Sequence, residues 1–307
     1  MRYLDPKADL TFKKVFGEHP DLVISLLNAL LPLDLPEEQI ASIEYLPNEL
    51  VPENPAKKNS IVDVRCKDYT GRIFIVEMQM IWSPAFMQRV VFNASKAYVR
   101  QLDAKEKYEL LQPVYSLNLL NDIFLPELDT YYHDYRIVQV EHTEQVIEGM
   151  RFIFVELPKF KPQTFSQKKM HVLWLRYLTE IDENTRTIPQ ELLDNPEISK
   201  AVQQIRESAF TDAQLWGYDQ FWDAVRVEKT LVSDAIKRGM KEGMEKGMEK
   251  GMKKGMEKGM KKGIEKGMEK GRKEGIRETA RNLKNMGLTI AQICTATGLS
   301  QEEIDKL

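Results

Sequence analysis

The stretch VDVRCKDYTGRIFIVEMQM, residues 62–80, limits more than any other feature how this chain can fold. Its apolar and polar residues alternate on either side of KDYTGR, which is the pattern of two β-strands joined by a tight turn. Gly71 supplies the positive φ angle that such a turn needs. We therefore predict a β-hairpin centred on Thr70, in which residues whose numbers sum to 140 lie opposite each other.

This register divides the hairpin into an apolar face and a face that carries acids. Asp63 lies opposite Glu77, and Gln79 shares the face of Glu77 because side chains alternate along a strand. The apolar face is formed by Val62, Val64, Cys66, Phe74, Val76, Met78 and Met80. Two carboxylates opposed at about 5 Å repel each other, so the arrangement needs some compensation.

Three interpretations of the paired acids are open from the residues alone. One carboxyl can stay protonated with a raised pKa, or Mg²⁺ can lie between the two, since this ion takes one or two carboxylates plus waters and phosphates. The metal interpretation is favoured by groups that could approach an anion, namely Gln79, Arg89, and Lys13 or Lys14. In the third interpretation the acids simply lie on the solvated face of a one-sided sheet.

The other elements predict an α/β or α+β domain. Helices are predicted over Asp9–Leu31, with a break at Pro20, and from Ser83 onward. Residues 168–236 have the pattern of several further helices. Strands are predicted at Ile43–Leu50 and in the runs QPVYSLNLLN, YRIVQVEH and MRFIFVELPKF. This order of elements indicates a mixed sheet flanked by helices.

A four-residue repeat fills the segment from Gly239 to Gly275, which contains ten glycines. At 100° per residue the Gly/Met stripe drifts by about 40° per repeat, so it forms no single coiled-coil seam. Each Gly costs a helix about 1 kcal/mol relative to Ala, or roughly 10 kcal/mol in total. A helix here therefore needs packing from partner chains. A low-complexity spacer, a self-associating helix and a lysine contact to nucleic acid all remain open.

The last stretch, ARNLKNMGLTIAQICTATGLSQEEIDKL, predicts a small helical unit. Two glycine turns flank a helix over Ile290–Thr297, and Ser300 with Glu303 forms a capping box for the next helix. The layout resembles a helix-turn-helix. Only Lys306 is basic after Lys284, which is too few cations to hold a phosphate backbone, so packing or oligomerisation is favoured over DNA reading.

Composition excludes several classes of protein. Cys66 and Cys294 are the only cysteines among 307 residues, which excludes a disulfide framework and a Cys-based zinc site and favours a reducing compartment. The four histidines lack metal-ligand spacing, and neither a P-loop nor a G-x-S-x-G motif is present. No apolar run approaches 18 residues, and the N-terminus lacks a signal-peptide core, so we expect a cytoplasmic protein without a membrane helix.

The hairpin resembles the active-site motif of the PD-(D/E)XK nuclease superfamily, which has an Asp on one strand and Glu-x-Lys on the next; here these are VDV and IVEMQM. DPKADLTFKKVFG, SPAFMQRVVFNASKAYVRQL, PVYSLNLLN and the repeat tail are similar to its Rpn-type branch of recombination-promoting nucleases and transposases. The resemblance implies a restriction-endonuclease-like mixed sheet. Its parts would be a nuclease core over 1–160, a helical extension over 161–236, the repeat as helix or spacer over 237–280, and a helix-turn-helix-like end over 281–307.

The resemblance also implies a catalytic set in the hairpin. Asp63 and Glu77 would bind Mg²⁺, or Mn²⁺ in its place, with the backbone carbonyl of Met78 as a further ligand. Gln79 stands where the superfamily usually has Lys, and it carries no charge. The implied reaction is metal-assisted hydrolysis of a phosphodiester by water, without a nucleophile on the protein.

Three residues outside the hairpin complete the implied site. Arg89 would contact the substrate phosphate and supply the positive charge that Gln79 lacks, although a salt bridge on the helix surface is the simpler role. Lys13 would be a second phosphate contact. Asp9 resembles the accessory acid of many superfamily members, against the alternative that it caps its own helix.

We therefore expect a Mg²⁺-dependent DNA endonuclease of low sequence specificity that forms a homo-oligomer through its repeat. An alternative is a catalytically weak nuclease fold that binds DNA or protein, which Gln79 favours. A third is an oligomeric scaffold whose functional part is the repeat.

Overall fold

The computed structural model describes residues 2–50, 58–103, 105–162 and 169–307. The chain divides into two units, Met1–Thr230 and Leu231–Leu307. The finer division into four parts that the sequence suggests stays a prediction.

A six-stranded mixed sheet organises the first unit, as predicted. The strands are β1 Ile43–Tyr45, β2 Val64–Asp68, β3 Ile73–Gln79, β4 Val114–Leu120, β5 Tyr132–Val138 and β6 Val146–Glu156. They lie in the order β1-β2-β3-β4-β6-β5. The pairs β3–β4 and β4–β6 are parallel, and the other neighbouring pairs are antiparallel.

Helices cover both faces of this sheet. They are α1 Asp9–Phe12, α2 Pro20–Leu30, α3 Pro84–Val99, α4 Met170–Glu180, α5 Gln190–Leu193 and α6 Pro196–Gln204, followed by the start of α7 Asp212–Asn285. The larger core packs Phe74 and Val76 of β3 against residues of α2 and α4 such as Leu26 and Trp174. On the opposite face, Ile75 packs against α3 through a second cluster.

Several predicted boundaries differ from the observed ones. The predicted helix Asp9–Leu31 is α1, a π-helical turn over Lys13–Gly17, and α2, which begins at Pro20. The helix is thus interrupted directly before Pro20, as predicted, and Pro20 takes the first position of α2, where its missing backbone N–H leaves no donor unpaired. The first strand ends at Tyr45, five residues before the predicted Leu50.

The hairpin has the predicted register. Arg65 pairs with Ile75 and Cys66 with Phe74, so the numbers of paired residues sum to 140. Gly71 has a φ of +92° at the turn, as the predicted turn requires. The carboxylate of Asp68 closes this turn, because it accepts hydrogen bonds from the backbone N–H groups of Thr70 and Arg72 at 3.0 and 2.9 Å.

One residue departs from the predicted apolar face of the hairpin. Strand β2 begins only at Val64, and the chain bends at Asp63. Val62 consequently packs on the α3 side of the sheet, in the cluster that contains Ile75. Met80 follows the end of β3 and packs in a cluster with Ile81 and Val225, against which Met78 also packs.

The repeat from Gly239 to Gly275 is helical, within α7, which is one of the two structures that the sequence left open. Apart from the neighbouring backbone of its own helix, a Cβ added to any of its ten glycines would meet no atom of the described chain within 4 Å. Its methionines and Ile264 are exposed by more than half of their surface. The described part of the chain therefore supplies no packing that would offset the loss of helix stability caused by the glycines.

The second unit ends in a small helical core, as predicted. Helices α8 Ile290–Thr297 and α9 Gln301–Asp305 bury Ile293 and Ile304 against Ala280 of α7. The predicted capping box between Ser300 and Glu303 is present. Across the described residues, no helix is both long enough and apolar enough to cross a membrane.

Candidate active site

The hairpin brings the two predicted acids to one place. Glu77 points from β3 to the α3 side of the sheet and is only 5% exposed. Asp63 lies in the bend before β2, where its Oδ2 accepts a 2.8 Å hydrogen bond from the backbone N–H of Met78. The side-chain amide of Asn48 donates to the carbonyl of Asp63 at 2.8 Å and holds the bend. The acids thus sit beside each other at the end of the β2–β3 ladder.

Helix α3 contributes two polar side chains to the same face. Asn93 Nδ2 donates to Glu77 Oε1 at 3.0 Å, and Arg89 Nη2 donates to Gln79 Oε1 at 2.6 Å. One helical turn and two strand residues both advance by about 6 Å, so an antiparallel helix can match residues four apart to strand residues two apart. Because of this match, Arg89 of α3 contacts Gln79 of β3, and Asn93, one helical turn later, contacts Glu77.

Gln79 uses both ends of its amide. Its Nε2 donates to the carbonyl of Ile81 at 2.7 Å, while its Oε1 accepts from Arg89. The guanidinium of Arg89 also lies 4.9 Å from the centre of the Phe86 ring. The side chain of Gln79 therefore fixes the position of Arg89 beside the acids, and the surface salt bridge considered for Arg89 is replaced by this contact.

The first helix places a second cation beside the acids. Lys13 Nζ lies 2.6 Å from Asp9 Oδ1 and 4.0 Å from Asp63 Oδ1. Asp9 lies in the first turn of α1, one residue after the N-cap position, and its described side-chain contact is the one with Lys13. Lys14 points elsewhere, because its Nζ donates to the carbonyl of Ala209 at 2.7 Å. Of the two lysines considered from the sequence, Lys13 is the one at the site.

Burial sets the electrostatics of this pair of acids. Desolvation, with the neighbouring charge of Asp63 as a second cause, raises the pKa of Glu77 to about 7. Desolvation also raises the pKa of Asp63, although the Met78 N–H and the charge of Lys13 act in the opposite direction. Near neutral pH the pair therefore favours either a bound proton or a cation, which are two of the interpretations that the sequence left open.

The donor atoms at this site suit a hard divalent cation. The carbonyl of Gln79 accepts from the Asn121 N–H of the chain beyond β4 at 2.8 Å, so the backbone of Met78 faces the β2 side, where Asp63 lies. Two carboxylates and a carbonyl on one edge are oxygen ligands of the kind that Mg²⁺ prefers. No group of three His, Cys, Asp or Glu side chains could hold a metal anywhere in the described residues, so waters or phosphate oxygens would have to complete the shell.

Asn93 is the site residue that sequence reasoning missed. It is 1% exposed, and its Oδ1 has no hydrogen-bond partner within the described chain. A single Asn side chain in an amphipathic helix forms no recognisable sequence motif. The available signal was its spacing, because Asn93 lies one helical turn after Arg89 and so on the same side of α3.

Comparison with known proteins gives one match. The sequence model of a family described as PD-(D/E)XK nuclease family transposase matches residues 6–235, about three quarters of the chain. The mixed sheet with helices on both faces is consistent with the restriction-endonuclease-like fold of that family. No curated protein and no solved structure gave a significant match.

Proposed function

Because this chain belongs to the PD-(D/E)XK nuclease family transposases, we propose that it is a metal-dependent endonuclease that hydrolyses phosphodiester bonds in DNA. The observation that most supports this activity is the convergence of Asp63 and Glu77 at one buried corner of the sheet, with Arg89 and Lys13 beside them. Acids that repel each other in a buried place are stabilised by a proton or by a cation, and the cationic side chains nearby suit an anionic substrate.

Asp63, Glu77 and the carbonyl of Met78 are the groups that would hold Mg²⁺, or Mn²⁺. The bound ion would supply Lewis-acid charge and lower the pKa of a water. The chain itself fixes the two carboxylates: the Met78 N–H holds Asp63, and Asn93 holds Glu77. Such hydrogen bonds orient metal ligands and support their affinity.

Two cationic side chains would contact the scissile phosphate. Arg89 is positioned by Gln79, and its planar guanidinium suits two phosphate oxygens. Lys13 is held by the accessory acid Asp9 and lies 4.0 Å from Asp63 Oδ1. Gln79 thus acts through Arg89, and the pair takes the role for which most of the superfamily uses one lysine.

A second function, a DNA- or protein-binding module with weak catalysis, is favoured by Gln79 itself. Its amide carries no charge, and both of its ends are already hydrogen-bonded. We propose low sequence specificity in either case, since the site offers phosphate contacts and no evident base-reading element.

Incubation of supercoiled plasmid with the protein and Mg²⁺ or Mn²⁺ distinguishes these functions. We expect nicking that requires the ion and that is lost in Asp63→Ala, because this change removes a carboxylate ligand. A gel shift without cutting in the wild type would instead support the binding module. Nicking that persists in a folded Asp63→Ala variant would contradict the assignment of the site.

We also propose that the repeat makes the protein a homo-oligomer. Ten glycines cost the helix roughly 10 kcal/mol, and in the described chain nothing packs against them, so contact with other chains is the remaining source of stabilisation.

A truncation after Asp234 is therefore expected to lower the oligomeric state and leave the catalytic unit folded. The packing of α7 against that unit involves Tyr218 and Val225, which precede the cut. Light scattering measures the mass of both forms, and circular dichroism checks that the shortened chain folds. The same number of subunits in the full-length and shortened proteins would remove this role of the repeat.

A further inference from the structure

Strand β5 is an uncovered edge of the sheet. It is the last strand in the sheet order, and residues 134–137 are exposed. Natural proteins commonly protect such an edge with charged side chains, especially Lys, or with Pro or a bulge. The sequence of β5, YHDYRIV, contains neither Lys nor Pro, and its charged residues, Asp134 and Arg136, are opposite in sign. The irregularity beside it lies in β6, where Arg136 pairs with Arg151 and the next residue, Ile137, pairs with Ile147.

The hydrogen bonds to β6 show which backbone groups of β5 face outward. The carbonyl of Tyr131 accepts from Glu156, and the N–H of Gln139 donates to Gln145, so odd-numbered residues bond to β6. The even-numbered residues therefore face away from the sheet. The hydroxyl of Thr130 lies within hydrogen-bond distance of both backbone groups of Tyr132. In the described chain, the outward groups of Asp134, Arg136 and Val138 make no hydrogen bond.

The charges on β5 favour one register in which this edge could pair with a second copy of itself. An antiparallel pair centred on Arg136 places Arg opposite Arg, and one centred on Asp134 places Asp opposite Asp, and both cases are unfavourable. A pair centred on Tyr135 places Asp134 of each strand opposite Arg136 of the other. It also places two tyrosines face to face and Tyr132 opposite Val138, which are favourable cross-strand pairs.

We propose that β5 is a self-pairing interface, through which two copies of the chain join their sheets about a two-fold axis at Tyr135. The outward N–H and C=O groups of Asp134 and Arg136 then bond across the axis. A two-fold interface uses the same surface on both subunits, as this pairing requires. The contact is separate from the repeat and involves none of the residues assigned to cleavage.

Cysteine cross-linking of the full-length chain tests the register directly. Tyr135 is a non-hydrogen-bonded position in this pairing, which brings the two Cα atoms to about 4.5 Å, within disulfide range. Position 137 lies opposite position 133, so two copies of residue 137 are about 14 Å apart. Tyr135→Cys and Ile137→Cys form a matched pair, because their exposures are 40% and 38%. Both variants carry Cys294→Ser, which leaves the buried Cys66 as the other thiol.

After mild oxidation we expect at least about tenfold more disulfide-linked dimer from Tyr135→Cys than from Ile137→Cys. Adding Asp134→Arg should lower the yield, because Arg then faces Arg, and adding Arg136→Asp to that variant should restore it. Circular dichroism confirms that each variant is folded. Equal yields from the two cysteine positions, or no dimer from Tyr135→Cys, would overturn the proposal.

Discussion

A Glu77→Gln variant is expected to lose DNA cleavage by about 10²–10³-fold or more, because it removes one of the two charges that would hold the metal. The substitution keeps the shape of the side chain, and the amide oxygen can still accept the hydrogen bond from Asn93. Loss of activity would therefore reflect the missing charge and not a disturbed fold. The measurement is the initial rate of plasmid nicking at saturating Mg²⁺ or Mn²⁺.

Glu156→Gln is the matched control for this prediction. Glu156 is another fully buried glutamate, but it contacts His133 at 2.9 Å and Lys159 at 3.0 Å. We expect its variant to cleave at a similar rate per folded molecule. If the two variants lost activity equally, or if Glu77→Gln kept the wild-type rate, Glu77 would not be a metal ligand.

The same Glu77→Gln change is expected to stabilise the metal-free protein at pH 8 by on the order of 3 kcal/mol. The pKa of Glu77 rises from 4.5 to about 7 on folding, chiefly because of its burial. Below pH 4.5 the carboxyl is protonated in both states and brings no penalty. Between pH 4.5 and 7 the unfolded chain releases the proton first, so the folded state loses stability as the pH rises. Glutamine does not titrate and avoids this loss.

Urea unfolding in the presence of EDTA, at pH values from 5 to 8, measures this effect. The difference in unfolding free energy between Glu77→Gln and wild type should grow with pH and level off above about pH 7. Glu156→Gln should behave in the opposite way and destabilise the fold, because it breaks a buried ion pair. A difference for Glu77→Gln that stays constant with pH would show that this carboxyl does not titrate as described.

The hairpin and its acids could be predicted because alternation and a turn glycine determine them locally. Once Gly71 set the turn, the convergence of Asp63 and Glu77 followed from counting residues. The contacts that α3 makes with the acids could not be predicted in the same way. They depend on how α3 packs across the sheet, and the inward stripe of that helix does not reveal which strand residues it meets.

The repeat shows a different limit of sequence reasoning. Summed helix propensity argues against an isolated helix over Gly239–Gly275, yet the segment is helical in the structure. Propensity counts only the interactions within one chain and gives no information about contacts between chains. The bend at Asp63 is likewise local, and no periodic pattern predicted that Val62 would leave its face.

Under the proposed function, the hydrogen bond from the Met78 N–H to Asp63 would make the metal site depend on correct assembly of the hairpin. Asp63 accepts this hydrogen bond from β3 at the point where the β2–β3 ladder ends, so its carboxylate also joins the two strands in register. A slip by one residue would break this hydrogen bond and turn Asp63 away from Glu77. A misaligned hairpin would then lack the proposed metal site, and incompletely folded molecules would not carry out the proposed cleavage.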